Sequence, residues 1–145
     1  MAKRILVPVD RTAVSESVVA IAADLARAGG AMVRLLHVAA PTDNVETREG
    51  RVVAYADQEM ARLEAEHTEY LRSLAEIHLS GVPTECVVGF GHPASEILAE
   101  IRAFDADLLV VATRTRSSLT RVLLGSVAEE LLRQAPITVL LVRPR

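Results

Sequence analysis

Aromatic residues are scarce in this chain of 145 residues, which has two tyrosines, two phenylalanines and no tryptophan. Proteins that bind single-stranded nucleic acid stack bases on aromatic side chains, so this scarcity argues against such a partner. The net charge of −3 also excludes the overall positive field that supports non-specific binding to nucleic acid. We therefore expect a partner other than nucleic acid.

Cysteine occurs once, as Cys86, which excludes an intrachain disulfide framework and suits a reducing cytoplasm. No apolar run approaches the roughly 18 residues that a membrane-spanning helix needs, so we expect no membrane anchor. The opening MAKRILVPVD becomes strand-like too soon for a signal peptide. We therefore expect a soluble, cytoplasmic protein with a single domain over residues 1–145, whose hydrophobic half suffices for a two-sided core.

Motifs of metal binding and of nucleophilic catalysis are missing from the sequence. The histidines lack the helical or cysteine pairing of a metal site. His67 is interpreted as a core histidine on an inward apolar stripe of a predicted helix, and this stripe also includes Leu71, Leu74 and Ile77. There is no nucleophile elbow, no metalloprotease helix and no P-loop lysine. We expect no metal and no catalytic residues, and we predict that the protein is not an enzyme.

Five apolar runs alternate with helical patterns along the chain. Strands are predicted over residues 5–9, 32–38, 84–88, 108–111 and 137–142, and helices over 14–25, 52–79, 93–102 and 127–134. Thr12 is the predicted N-cap of the first helix, and Gly29 with Gly30 its stop. Because alternating strands and helices connect by right-handed crossovers, this pattern predicts an α/β fold with a parallel sheet and helices on both faces.

An anion site is predicted within the stretch LLVVATRTRSSLTRVLLGSVAE, residues 108–129. An apolar run with the composition of a buried strand is followed by a loop rich in arginine and hydroxyl residues. Gly125 and Ser126 then begin a helix. A strand, a loop and a helix N-terminus in this order present backbone N–H groups and a positive dipole end to an anion.

The same stretch, with the opening ILVPVD and the closing LLRQAPITVLLVRP, resembles the universal stress protein family over the whole chain. Nucleotide-binding members have a G-x-x-G motif, nine residues and then G-[ST]. These glycine positions fall here on Ala112, Thr115 and Gly125, with Ser126 as the hydroxyl, so only the last glycine is kept. The resemblance implies an open, Rossmann-like sheet of the adenine nucleotide alpha hydrolase type, with strand order 3-2-1-4-5 and a ligand site at its switch point.

The resemblance also implies an adenine nucleotide as ligand, ATP or AMP, with Mg²⁺ accompanying ATP. The acid at the position of Asp10 holds the ribose or base in family members, and the positions of Pro8 and Val38 line the adenine pocket. The implied nucleotide-binding residues are Pro8, Asp10, Val38, Ala112, Thr113, Arg114, Thr115, Arg116, Ser117, Ser118, Gly125, Ser126 and Val127.

Each of these residues also has a plain structural interpretation. Asp10 could instead cap a turn or the first helix, although its place at the switch point favours the ligand role. Ser126 is equally suited to capping its helix, and Pro8 and Val38 to packing in the core. If Thr115 kept a glycine's positive φ, the strain would cost about 1 to 3 kcal/mol. Arginine side chains in the loop could bind phosphates in place of backbone N–H groups, or could lie in solvent.

The last strand, with Ile137 and Val142 at its ends, is predicted at a sheet edge and is apolar. Such an edge is normally covered or paired. In the family this strand pairs with its copy, so we expect a homodimer centred on Val139 to Leu141. Three hypotheses stay open: a dimeric regulatory protein that binds nucleotide without efficient turnover, a dimeric protein-interaction module with a degenerate pocket, and a slow nucleotide hydrolase.

Overall fold

The computed structural model describes residues 2–40, 51–113 and 125–143, with side chains described from residue 57 onward in the second range. Its strands are β1 (Arg4–Pro8), β2 (Met32–Ala39), β3 (Thr84–Phe90), β4 (Leu108–Ala112) and β5 (Thr138–Val142). Its helices are α1 (Ala13–Gly29), α2 (Arg51–His78), α3 (Pro93–Phe104) and α4 (Ser126–Gln134).

The five strands form one parallel sheet in the order β3-β2-β1-β4-β5. This order confirms the prediction. Every predicted element is present, and its ends differ by at most two residues, apart from the end of α1, which lies at Gly29 and not at residue 25. Pro8 is the last residue of β1, where its missing N–H interrupts no further ladder. β1 and β4 are the central neighbours whose connections leave in opposite directions, and their carboxyl ends meet at one point of the sheet edge.

Side chains of the strands alternate between two apolar cores, one on each face of the sheet. In β1, Ile5 and Val7 face the core that α1 and α2 cover, whereas Leu6 faces the core that α3 and α4 cover. All three are fully buried. This alternation follows from the two-residue period of a strand and explains why the strand sequences are almost continuously apolar.

Helix α1 begins and ends as its sequence predicts. The Thr12 side chain accepts a hydrogen bond from the Ser15 backbone N–H at 3.1 Å, which confirms Thr12 as the N-cap. Gly30 adopts a left-handed conformation with φ of 67°, and its N–H donates to the Ala26 carbonyl. A side chain at this angle would be strained, so glycine defines the helix end.

Helix α2 follows its predicted stripe only in part. Leu71 and Leu74 are buried against the α1 side of the sheet, but Ile77 is 70% exposed. The prediction of an inward Ile77 was wrong because each step of three residues falls about 60° short of a full helical turn, so two steps carry Ile77 off the face of Leu71. Within the described residues, no helix combines the length and hydropathy needed to cross a bilayer.

Candidate functional site

A cavity of about 600 Å³ opens at the carboxyl ends of β1 and β4. Its walls come from the ends of three central strands, from the start of α1 and from the first turns of α3 and α4. The lining residues are Pro8, Val9, Asp10, Thr12, Val14, Ser15, Leu36, Val38, Pro93, Ile97, Val111, Ala112, Thr113, Gly125, Ser126, Val127, Ala128 and Leu131.

Eight of the thirteen residues predicted for the site line this cavity together. They are Pro8, Asp10, Val38, Ala112, Thr113, Gly125, Ser126 and Val127. The other five predicted residues lie outside the described part of the chain. They are Arg114, Thr115, Arg116, Ser117 and Ser118.

The first turn of α4 is part of the cavity wall. Gly125 is the N-cap and brings no side chain to the helix end, while Ser126 is the first helical residue. The first hydrogen bond of the helix runs from the Glu129 N–H to the Gly125 carbonyl at 3.0 Å. The N–H groups of residues 126–128 therefore precede the helical hydrogen-bond pattern, and they carry the positive end of the helix dipole. Ser126 is thus not the cap. A first turn without a capping side chain is chemically suited to an anion.

Asp10 lines the cavity and also closes the turn between β1 and α1. Its Oδ1 accepts hydrogen bonds from the Thr12 N–H at 3.0 Å and the Thr12 hydroxyl at 2.6 Å. Its backbone N–H donates to the Ser15 hydroxyl at 3.0 Å. The capping role that the sequence left open is thus part of the structure. One carboxylate oxygen fixes the turn, and the residue remains part of the cavity wall.

Arg11 has a backbone angle that the sequence analysis missed. Its φ is 69°, in the left-handed region, which a non-glycine residue adopts at a cost of about 1 to 3 kcal/mol. No signal in the sequence predicts this, since an arginine is ordinary in a helix or a loop. The angle lies between Asp10 and Thr12, so the surroundings must hold this turn in place.

Ala112 and Thr113, the first two residues of the predicted ligand loop, continue the sheet. Ala112 is paired with Val142 in β5, and it is not among the described residues with positive φ. A glycine at this position is thus not required by the backbone angle, and Ala112 packs against the core that α1 and α2 cover. Thr113 is buried, and its N–H donates to the Val142 carbonyl at 2.9 Å.

Several cavity residues were not predicted, and they come mainly from two helices. Thr12, Val14 and Ser15 belong to the start of α1, and Pro93 and Ile97 to the start of α3. The signal that could have found them is the prediction of Pro93 at a first helical position, because helices that follow parallel strands begin at the edge where ligands bind. Leu36 and Leu131 also line the cavity and were not predicted for the site.

Metal-binding clusters are absent from the described residues, where no three side chains of histidine, cysteine, aspartate or glutamate converge. Cys86 lies half-buried on β3, and burial raises the pKa of its thiol. A raised pKa keeps the thiol protonated at neutral pH, so Cys86 lacks the thiolate of a reactive cysteine.

Comparison with known proteins gives the family. The model of the universal stress protein family matches residues 1–143. A universal stress protein of Thermus aquaticus is 31% identical over 99% of this chain and 100% of its own length. Another, from Mycolicibacterium smegmatis, is 40% identical over 63% of this chain and 68% of its own length.

Two solved structures of the same fold hold adenine nucleotides. A family protein of Arabidopsis thaliana with AMP bound superposes with a TM-score of 0.67 at 17% identity, over 99% of this chain and 92% of that one. A universal stress protein in complex with cAMP gives 0.66 at 23% identity, over 98% and 97%. At these identities the two structures show only that the fold is shared. Because the family model matches nearly the whole sequence, the chain belongs to the universal stress protein family.

Proposed function

We propose that this protein is a homodimeric regulatory protein of the stress response that binds an adenine nucleotide, ATP or AMP, in the cavity at the carboxyl ends of β1 and β4. The observation that carries the proposal is that the cavity has both an apolar wall and a wall formed by a helix N-terminus. Apolar side chains of the strand ends and of α3 form one wall, and the uncapped first turn of α4 forms another. A flat base and an anionic phosphate need these two surroundings.

The dimensions and chemistry of the cavity fit such a ligand. Its volume of about 600 Å³ lies within the range of about 300 to 1,000 Å³ that is usual for small-molecule sites. Leu36, Val38 and Ile97 supply the apolar surface for a base. The N–H groups of residues 126–128 and the Ser126 hydroxyl would hold phosphate oxygens. The AMP and cAMP complexes of relatives with this fold support the choice of an adenine nucleotide.

The cavity favours binding over turnover. Among the described residues that line it, Asp10 is the one acid or base, and its Oδ1 is engaged by Thr12. Hydrolysis of a phosphate would need a group that orients the attacking water and a way to neutralise charge, usually Mg²⁺. We therefore propose a nucleotide-binding protein without efficient turnover, in which Mg²⁺ accompanies ATP as a counter-ion. The single cysteine allows no intrachain disulfide, which suits the cytoplasm as the location of the protein.

The homodimer is proposed from the position of β5. This strand is the last in the sheet order, and its Leu140 is 36% exposed. An apolar edge strand invites pairing with another strand, and pairing with its own copy across a two-fold axis closes the assembly at two subunits.

Mass spectrometry of small molecules released from freshly purified, denatured protein tests the nucleotide. Release of ATP, AMP or cAMP at a substantial fraction of one per chain supports the proposal. Protein that releases no nucleotide and shows no heat of binding with any of the three would instead support the second candidate, a dimeric protein-interaction module. That candidate is favoured by one observation: the cavity wall contains Ala112 at a position where the family resemblance implies a glycine.

A further inference from the structure

The turn that carries Asp10 has a second side, which faces α2 and not the cavity. The Arg11 side chain leaves the turn in this direction. Its guanidinium carbon lies 4.4 Å from the centre of the Tyr70 ring, and its Nη1 lies 3.2 Å from His67 Nδ1. Both partners are on α2, one helical turn apart, so one helix face holds the Arg11 side chain.

The contact between Arg11 and His67 has a defined protonation state. A guanidinium can only donate, so His67 Nδ1 must accept, and the imidazole is then neutral with its proton on Nε2. A protonated His67 would have no acceptor at Nδ1 and would place a second positive charge at this distance. The contact therefore exists only while His67 is neutral.

His37 connects the cluster of Arg11, His67 and Tyr70 to the backbone at the end of β1. Its ring centre lies 4.2 Å from that of His67, and its Nδ1 lies 2.7 Å from the Val9 carbonyl oxygen, to which it must donate. Val9, which accepts this hydrogen bond, and Val38, which follows His37 in β2, both line the cavity. Contacts made on the α2 side are thus one residue away from the ligand wall.

Tyr70 connects the cluster to the start of α1. Its hydroxyl donates to the Glu16 carboxylate, and its ring packs against the core between α1, α2 and the sheet. Burial and the hydrogen bond to Glu16 raise the pKa of Tyr70, so the hydroxyl keeps its proton at physiological pH. The ring is consequently a fixed platform for the Arg11 guanidinium, since its own position is held from two sides.

These contacts explain how a strained backbone persists. Arg11 has φ of 69°, and a left-handed arginine is retained only where the surroundings hold it. The same turn has one face in the cavity, through Asp10 and Thr12, and the other against α2. Loss of the Arg11 contacts would let the backbone relax toward negative φ, and the Asp10 carboxylate would move with it.

We propose that Arg11 is a positioning residue for the ligand, and that α2 holds it through Tyr70 and a neutral His67, so that protonation of His67 releases the turn and weakens ligand binding. The ligand part of this inference rests on the proposed function, but the contact and its release by acid do not.

The charged surroundings of His67 favour such a response. Burial lowers the pKa of His67, and the neighbouring His37 and Arg11 lower it further, while Glu66 on the same helix acts in the opposite direction. Glu16 of α1 and Asp10 of the turn also face the cluster, through their interactions with Tyr70. His67 is therefore neutral at pH 7, and it takes up a proton only as the pH falls below the ordinary histidine value of 6.5.

The release is tested first without ligand. Isotope-labelled protein is titrated from about pH 8 to about pH 5 by NMR, and the His67 ring carbon is followed together with the backbone amides of Arg11 and Thr12. We expect the amides to shift with the midpoint of His67. His67→Gln keeps an acceptor that does not titrate, so these shifts should vanish, whereas His78→Gln, a change near the far end of α2, should leave them intact.

Binding is tested with ATP and AMP by calorimetry on the same proteins. We expect the affinity of the unmodified protein, relative to that of His67→Gln, to fall by about fivefold or more between pH 8 and pH 5.5. Comparing the two proteins cancels the protonation of the nucleotide itself. Arg11→Ala loses both contacts but keeps a side chain that disfavours positive φ, so it should bind more weakly than the unmodified protein at pH 8, whereas Arg11→Gly, which adopts the left-handed angle without strain, should bind more tightly than Arg11→Ala.

Three results would overturn the inference. They are amides of Arg11 and Thr12 that do not respond to the titration of His67, the same amide shifts in His67→Gln, and full affinity in Arg11→Ala. Absence of nucleotide binding by every protein at every pH would contradict the proposed function alone, and the ligand-free titration would still decide whether His67 controls the turn.

Discussion

The Asp10 carboxylate is bound to Thr12, two residues further on, through both the backbone N–H and the hydroxyl of that threonine. Thr12 in turn caps α1 by accepting from the Ser15 N–H. The acid that lines the candidate site is therefore held by the N-cap residue of the helix that follows it. Perturbing this cap is expected to affect helix stability and the orientation of the carboxylate together.

Thr12→Ala tests this connection. We expect the free energy of unfolding, measured by urea denaturation, to fall by about 0.5 to 2 kcal/mol, because the cap is lost. Nucleotide affinity should fall as well, since Asp10 Oδ1 loses the hydroxyl that holds it. Thr12→Ser keeps the hydroxyl and is the matched control; a loss of equal size in this variant would show that the threonine methyl group, and not the hydrogen bonds, was responsible.

Ser126→Leu tests the position of the phosphates. A bulky apolar side chain at the first residue of α4 should abolish nucleotide binding in calorimetry, while the far-ultraviolet circular dichroism and the unfolding midpoint stay close to those of the unmodified protein. Ser95→Leu places the same side chain at an exposed position in the first turn of α3 and should bind normally. Equal affinity in the Ser126 variant would disprove this placement of the phosphates.

The glycine positions can be separated by two variants. Ala112 lies in β4 without positive φ, so Ala112→Gly alone is expected to change affinity little. Ala112→Gly with Thr115→Gly should tighten ATP binding by about tenfold or more, if backbone N–H groups of the loop are the limiting contacts. Unchanged or weaker binding by the double variant in calorimetry would indicate that the loop arginines bind the phosphates, or that the loop has another shape.

The edge strand offers a test of the homodimer. Val139 and Leu141 pack against the core that α3 and α4 cover, so a lysine at either position is expected to disturb the fold as well as the edge and to give monomers or insoluble protein. Leu140 is the cleaner position because it is 36% exposed. Leu140→Lys should give a folded monomer by light scattering, since a lysine on an edge strand opposes pairing. A stable monomer for the unmodified chain at micromolar concentration would contradict the proposed dimer.

The amino-terminal end of the sheet contains a charge cluster that should stabilise the fold. Arg34 bonds to Glu85 and Glu100, and its guanidinium carbon lies 4.3 Å from the centre of the Phe104 ring. Glu100 is 19% exposed and Glu85 46%. We expect Glu100→Gln to lower the free energy of unfolding by about 1.5 to 3 kcal/mol, and Glu85→Gln by about 0 to 1 kcal/mol. Equal losses in urea denaturation would show that burial does not distinguish the two pairs.

The order of strands and helices could be predicted from the sequence because it is local information. Each strand is an apolar run, and Thr12 and Gly30 mark the ends of α1 by requirements of their own backbone positions. The position of the site also follows, since the carboxyl ends of β1 and β4 must meet wherever the strand order is 3-2-1-4-5. That order came from the family resemblance.

Only the tertiary structure decides which groups beyond the motifs reach one another. The sequence separates Arg11 from Tyr70 and His67 by more than fifty residues, and nothing in its pattern indicates that an arginine adopts positive φ. His67 could be predicted to face inward from its helical spacing, but its partner depends on how α2 lies against the turn after β1. The sequence also left both roles of Asp10 open, because a carboxylate can cap a turn or bind a ligand. The structure shows the capping role, in which Asp10 Oδ1 accepts hydrogen bonds from Thr12.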